Sequence, residues 1–284
     1  MKFGAVITYA TEREFTELAL VAEDAGWDQV FTWEAVWGQD AWVTLGAAAM
    51  ATERIRLGTL LTPAARHRPW DLASRVASLD RLSGGRVTLG VGLGALHGNW
   101  LAFEADEGRA VRARKLDEVL DVYAGLMGGQ PFSYTGEYFS ASPVTELVPP
   151  PPVQTPHPPV WCVGLMVHSR SRQRSLERAA RWQGVFPAIA GGSLENPGSQ
   201  LTPPALRELV ERLGALRAEA GQTMQGYDVV VAGDSHGEFG TVHPPVEQWA
   251  DAGATWWVES WWDLPDSPEG RAELRRRLEL GPPR

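Results

Sequence analysis

Residues 54–95 read RIRLGTLLTPAARHRPWDLASRVASLDRLSGGRVTLGVGLGA, and this pattern decides the architecture. Residues 54–61 are a β-rich apolar run, and residues 62–69 are a loop marked by two prolines. Asp71 is placed to cap a helix whose Leu72, Val76, Leu79 and Leu82 recur at three- and four-residue spacing. Ser83-Gly84-Gly85 ends that helix, and residues 86–91 form a second continuous apolar strand. Two buried strands joined by an amphipathic helix make a βαβ unit, which implies a parallel sheet. The second strand runs into Gly92-Leu93-Gly94, where backbone can approach a ligand closely.

The same alternation extends in both directions. Residues 2–8 read as a short first strand, followed by a helix with Thr11 and Glu14 in capping-box spacing and Phe15, Leu18, Ala19 and Ala22 on its core face. Residues 29–32 are the next strand, and residues 40–51 an alanine-rich helix. Beyond Gly94, the run ALHGNWLAFEADEG lacks periodicity and reads as a long loop before a helix over 109–127. Residues 132–139 alternate around Thr135-Gly136 and predict a small hairpin. Residues 148–159 hold seven prolines, which exclude helix and force an extended connection. Further strands follow at 160–164, 184–189, 227–232 and 255–260, separated by helices at 174–182, 203–220 and 246–252 and closed by one at 269–280.

Eight strands, most followed by a helix, predict a closed (β/α)8 TIM barrel of the α/β class rather than an open sheet. A doubly wound sheet would carry its phosphate-binding glycines after the first strand, where this chain has Tyr9-Ala10-Thr11-Glu12. One barrel domain over 1–284 is expected, with the hairpin and proline-rich insertion near 130–159 as its only departure from the repeat.

The chain has 284 residues, a hydrophobic fraction of 44% and a formal net charge of -9. That charge argues against nonspecific binding to nucleic acid or to anionic membrane surfaces. Lys2 and Lys115 are the only lysines, and neither sits at a strand end as an aldolase-type barrel would need. The lone Cys162 excludes an internal disulfide and, within PVWCVG, reads as a buried thiol. No apolar run approaches the ~20 residues of a membrane span, and no leader precedes Phe3, so a cytoplasmic protein is expected. The six histidines show no metal-ligand spacing, and no nucleophile-elbow pattern supports hydrolysis.

In a barrel the chemistry gathers where strands end. Those positions are Thr8, Trp33-Glu34, Leu61-Thr62, Gly92 to Gly94 with His97, Gly164 to Arg170, Pro187, Ala232-Gly233 and Trp261-Trp262. Aromatics are concentrated there, which suits a cavity for a planar ring. His168, Ser169, Arg170, Ser171 and Arg172 lie between a strand and a helix, where guanidinium forks and helix N–H groups favour phosphate. An exposed basic loop is the plainer reading of that run. Glu34 and His97 are the titratable candidates; a salt-bridged carboxylate and a surface histidine are the plainer readings of each.

The block LDRLSGGRVTLGVGLG, preceded by IRLGTLLTP, resembles the luciferase-like monooxygenase family of flavin- and deazaflavin-dependent enzymes. ERAARWQGVFP and WADAGATWWVESWW, with the terminal GPPR, carry the likeness across nearly the whole chain. The resemblance implies an oxidoreductase or monooxygenase acting on a small organic substrate with FMN, or alternatively with the deazaflavin coenzyme F420. It implies a cis non-proline bond within residues 58–63 that supports the back of the ring, with Leu60 and Leu61 flanking the bulge and Thr8, Thr62, Gly92 and Gly94 beside the cofactor. Gly164, His168, Ser169, Arg170 and Arg172 would take its phosphate, although relatives use a run of glycines here and this chain keeps only Gly164. Trp33, Trp100, Trp261 and Trp262 would shape the substrate pocket, and Glu34 or His97 would move a proton. A separate flavin reductase and a homodimer formed by early helices are further implications. A non-catalytic flavin-binding barrel of the same family is the competing reading.

Overall fold

The first βα unit forms where the sequence places its capping box. In the computed structural model, which describes residues 1–96, 99–190, 201–235 and 244–283, β1 (Lys2–Val6) leads to α1 (Glu12–Asp24). The Thr11 hydroxyl accepts from the Glu14 amide, and the Glu14 carboxylate accepts from the Thr11 amide at 2.9 Å. The sequence then repeats: β2 (Gln29–Thr32), α2 (Ala41–Ala51), β3 (Arg56–Pro63), a 3₁₀ turn (Ala64–Arg66), α3 (Pro69–Ser83) and β4 (Val87–Gly92). After β4 come α4 (Trp100–Phe103) and α5 (Arg109–Met127), then the two-stranded ribbon of β5 (Tyr134–Thr135) and β6 (Ser140–Ala141). The second half runs β7 (Val160–Met166), α6 (Arg174–Ala180), β8 (Gly184–Ile189), α7 (Pro203–Glu219), β9 (Asp228–Gly233), α8 (Val246–Asp251), β10 (Trp256–Glu259) and α9 (Pro268–Glu279).

The eight long strands close in the order β1-β10-β9-β8-β7-β4-β3-β2, every pair parallel, so the chain is a (β/α)8 barrel. The β5–β6 ribbon and the proline-rich segment lie outside it, as the loss of periodicity there predicts. Three local readings are corrected. Asp71 is not the cap of α3: the helix begins at Pro69, whose fixed φ suits the first helical position, and Asp71 lies in the first turn. β3 runs two residues past Leu61, because Thr62 and Pro63 resume pairing with Val91 and Gly92 after a register shift. The stretch after Gly94 is not all loop, since residues 100–103 form the single-turn α4. Gly84 ends α3 in the left-handed region at φ 67, as the glycine pair anticipates.

The barrel interior is filled from below. Val6, Phe31, Trp161, Phe186, Val230, Trp256 and Val258 form one buried cluster, with the Trp161 and Trp256 rings 5.2 Å apart. Asp228 accepts from both indoles, Trp161 Nε1 at 3.1 Å and Trp256 Nε1 at 2.8 Å. Burial pushes its carboxyl above the usual carboxylate range despite those bonds. A second, larger apolar layer packs the outer faces of the strands against the helices. Cys162 lies within that layer, and burial pushes its thiol up to about 12, which leaves it inert. Among the described residues no helix is long and apolar enough to cross a membrane, and no cluster of histidine, cysteine and acidic side chains is arranged to hold a metal.

Two polar clamps set how β3 enters the barrel. The Glu23 carboxylate accepts from the backbone amides of Glu53, Arg54 and Ile55, the last two at 2.6 and 2.7 Å. The Arg86 guanidinium donates to the carbonyls of Ala49, Thr52 and Ile55, satisfying the end of α2. Burial raises the Glu23 carboxyl, but the three amides outweigh it and hold the group below its ordinary value. A depressed folded-state value means that this stability is present above the ordinary glutamate range and lost as pH falls through the folded value. Glu23→Ala should therefore cost about 1–3 kcal/mol by leaving buried amides unpaired. Urea melts across pH should also show a flatter acid limb than in the parent protein.

Candidate functional site

The carboxyl ends of the strands carry the residues that could work. At the centre, the β3–β4 ladder slips between Thr59 and Thr62, and the Leu60-Leu61 peptide within the slip is cis. Leu60, Leu61 and Val163 are only partly buried and rest on the aromatic cluster below. A Cβ on Gly90 would lie 2.2 Å from the Thr59 carbonyl oxygen, and one on Gly92 would lie 2.9 Å from Leu61 Cδ1. Glycine at both positions is thus required by the close approach of the two strands. Thr62 does not face the mouth. It is buried, and its hydroxyl donates to Thr59 Oγ1 at 3.0 Å, which in turn donates to the Gly90 carbonyl at 3.0 Å. Thr8 is buried just beyond β1.

Glu34 follows β2, and its Oε1 lies 2.7 Å from Nε2 of His67, with each side chain only about a tenth exposed. His67 follows the 3₁₀ turn, and its Nδ1 lies 3.4 Å from Arg75 Nη1. Both line a 440 Å³ cavity between the β2–α2 and β3–α3 loops. His97, the other titratable candidate, lies outside the described residues. His67 was not singled out from the sequence, because within ARHRP it reads as one more member of a basic loop.

Two of the four candidate tryptophans do not line a mouth. Trp100 is buried with its ring against Gly94, whose φ is 81 and whose Cβ would stand 2.1 Å from the indole. Arg66 and Arg112 stack near that ring at 5.3 and 5.4 Å, so Trp100 anchors α4. Trp261 is 2% exposed, edge-on to Trp27 and beneath Arg277, within the helix-facing layer. Trp33 and Trp262 do meet at the surface, with ring centroids 6.4 Å apart.

The proposed phosphate loop is partly committed elsewhere. Gly164 is a mid-strand residue, and a Cβ there would press into Val185 and Leu176, so the glycine serves the packing of α6. Arg172 Nε lies 3.1 Å from Glu177 Oε1, and His168 Nδ1 3.7 Å from Glu208 Oε2. Ser169 and Arg170 are exposed. The loop is shaped by a residue the sequence did not flag, since glutamine is not a preferred cap. Gln173 is buried, its Oε1 accepts from the Val167 amide at 3.0 Å, and its Nε2 donates to the Val167 carbonyl at 2.8 Å.

The chain belongs to the luciferase-like monooxygenase family, whose model matches residues 1–236. It is similar to an F420-dependent glucose-6-phosphate dehydrogenase of Beutenbergia cavernae, 36% identical over 143 residues that cover 47% of this chain and 42% of that protein. The matches cover less than half the length of such curated relatives. Its fold is similar to the coenzyme F420-dependent tetrahydromethanopterin reductase of Methanopyrus kandleri, with a TM-score of 0.74 at 18% identity over 99% of this chain and 98% of that one. It is also similar to the FMN complex of the oxygenating constituent of 3,6-diketocamphane monooxygenase from Pseudomonas putida. The TM-score there is 0.64 at 18% identity, over 82% of this chain and 67% of that one.

The Gln173 staple yields a test of its own. Gln173→Ala should leave the Val167 amide without its partner and leave the Val167 carbonyl only its bond from the Arg170 amide, at a cost of about 1–3 kcal/mol. Hydrogen exchange at Val167 should accelerate while exchange in α1 stays as it was.

Proposed function

We propose that the chain is an oxidoreductase of the luciferase-like family that seats the tricyclic ring of a flavin or deazaflavin over Leu60 and Leu61. The observation that carries this reading is the apolar step left by the β3 ladder slip, facing Gly90 and Gly92 across the β3–β4 contact. These residues fit a flat, largely apolar group, because they offer partly exposed aliphatic surface and no unpaired charge. When bound, such a ring supplies hydride chemistry, and the flavin form supplies oxygen chemistry as well. Similarity to F420-dependent enzymes and the shared fold with an FMN-dependent one support the cofactor class.

In this reading, Glu34 takes or returns the proton at the substrate, and His67 holds that carboxylate at 2.7 Å. Ser169 and Arg170, exposed beyond β7 and without a side-chain partner among the described residues, are placed to meet a phosphate. Trp33 and Trp262 bound the substrate side. A flavin reductase would be the partner only if FMN is the cofactor. Titrating FMN and F420 separately, with tryptophan quenching as the signal, tests the reading: one of the two should bind saturably. Gly92→Ala should displace Leu61 and weaken that binding about tenfold, or ~1.4 kcal/mol. Failure of both to bind would remove the proposal.

Association into a homodimer through α2 is part of the same reading. The helix is apolar on every side, yet Val43 is 62% and Met50 70% exposed. A helix apolar all round is one that expects to be covered. Light scattering should give twice the 31.0 kDa chain mass, and Val43→Glu with Met50→Glu should return it to a monomer.

A further inference from the structure

A second cavity, of 590 Å³, opens between the loops that follow β1, β2 and β10. Its aromatic walls are Tyr9, Trp33 and Trp37. All three are exposed, Trp37 by 80%, and Trp262 stands against Trp33. Large exposed aromatics gathered at one mouth are costly to leave in water and mark a binding surface.

The charge of this cavity is predominantly negative. Glu12, Glu14 and Asp266 line it, against the single guanidinium of Arg271. That guanidinium is shared: its Nε lies 3.3 Å from Glu14 Oε1 and its Nη1 2.8 Å from Asp266 Oδ1. Backbone and hydroxyl bonds from Thr11 hold the Glu14 carboxyl below its usual range, so it stays ionised at neutral pH. Three carboxylates against one guanidinium leave a net charge of -2 on the lining. Electron-rich ring faces beside uncompensated carboxylates favour a cation over a neutral or anionic guest of the same shape.

We propose that this cavity binds an organic cation, a protonated amine or quaternary ammonium with an apolar body, between Trp33 and Trp37 and facing Glu12. The cavity lies at the carboxyl end of the barrel, the same end as Leu60 and Leu61. Treating the cation as the substrate therefore rests on the oxidoreductase reading, whereas its binding does not.

The test is calorimetric titration of the full chain with benzyltrimethylammonium, benzyl alcohol and benzoate, first at low and then at high salt. The ammonium should bind saturably, about tenfold tighter than the alcohol, and lose affinity as salt rises. Benzoate should bind weakest. Trp37→Ala and Glu12→Gln, both at exposed positions, should each weaken the ammonium about threefold or more, with unchanged thermal melts. Equal binding of alcohol and ammonium overturns the proposal, as does an ammonium that fails to saturate or ignores both substitutions. Titrating FMN and F420 on the same samples separates the two claims. Cofactor binding without cation preference sinks this inference alone, and cation preference without cofactor binding sinks the oxidoreductase reading alone.

Discussion

The mouth of this barrel depends on how closely β4 approaches β3. At Gly90 the neighbouring strand is so near that a single added carbon would meet the Thr59 carbonyl at 2.2 Å. With that spacing fixed, the ladder can slip between Thr59 and Thr62 and still resume, and the two leucines inside the slip are left partly exposed. The same slip turns the Thr62 hydroxyl inward onto Thr59, which closes a short hydrogen-bond chain back to Gly90. Pairing restored at Pro63 then delivers the chain into the 3₁₀ turn, and the turn delivers His67 to Glu34. A backbone contact thereby positions the Glu34–His67 pair two elements away.

Below the leucines the barrel interior is packed with side chains. Four aromatic side chains and three valines fill the lower half of the barrel, and Asp228 ties two of the indoles together from beneath. Lys2 stands over the Trp256 ring at 5.1 Å on the same side. A carboxylate buried on two indole donors constrains ring orientation more tightly than apolar packing would, because a buried acceptor is costly to leave unmade. The packed interior floors the mouth formed at the carboxyl ends of the strands, the end where barrels of this kind carry their chemistry.

Much of this was legible in the sequence. The βα alternation counted out eight strands, the Thr11–Glu14 spacing placed α1, and the glycine pair at 84–85 placed the end of α3. The likeness of IRLGTLLTP to the family points to Leu60 and Leu61, where the structure places the cis bond and the ladder slip. What the sequence obscured was direction. Trp100 and Trp261 both lie beyond strand ends, yet each turns toward the helices. A residue past the end of a strand is no longer bound by period-two alternation, so its facing depends on the loop that follows. Gln173 and His67 were missed for a related reason: each acts through contacts that exist only in the folded loop, and neither has a local pattern to announce it.

Two cavities share the β2–α2 loop. Ala35, Trp37, Gly38 and Gln39 wall the charged cavity of Glu34 and His67 on one side and the aromatic cavity of Trp33 and Tyr9 on the other. The charged side is balanced, since Arg66, Arg68 and Arg75 face Glu34, Asp40 and Asp71. The aromatic side is not, with its excess of carboxylate. A five-residue partition between a neutral, ion-paired compartment and an acidic, ring-lined one lets each be tuned without disturbing the other. Asp40 anchors the partition at its far end by capping α2 through the Trp42 and Val43 amides, both at 2.9 Å. Trp33, at its near end, follows directly on a barrel strand. Because both ends are fixed by regular structure, substitutions within the loop should change which ligand is accepted before they change whether the barrel folds.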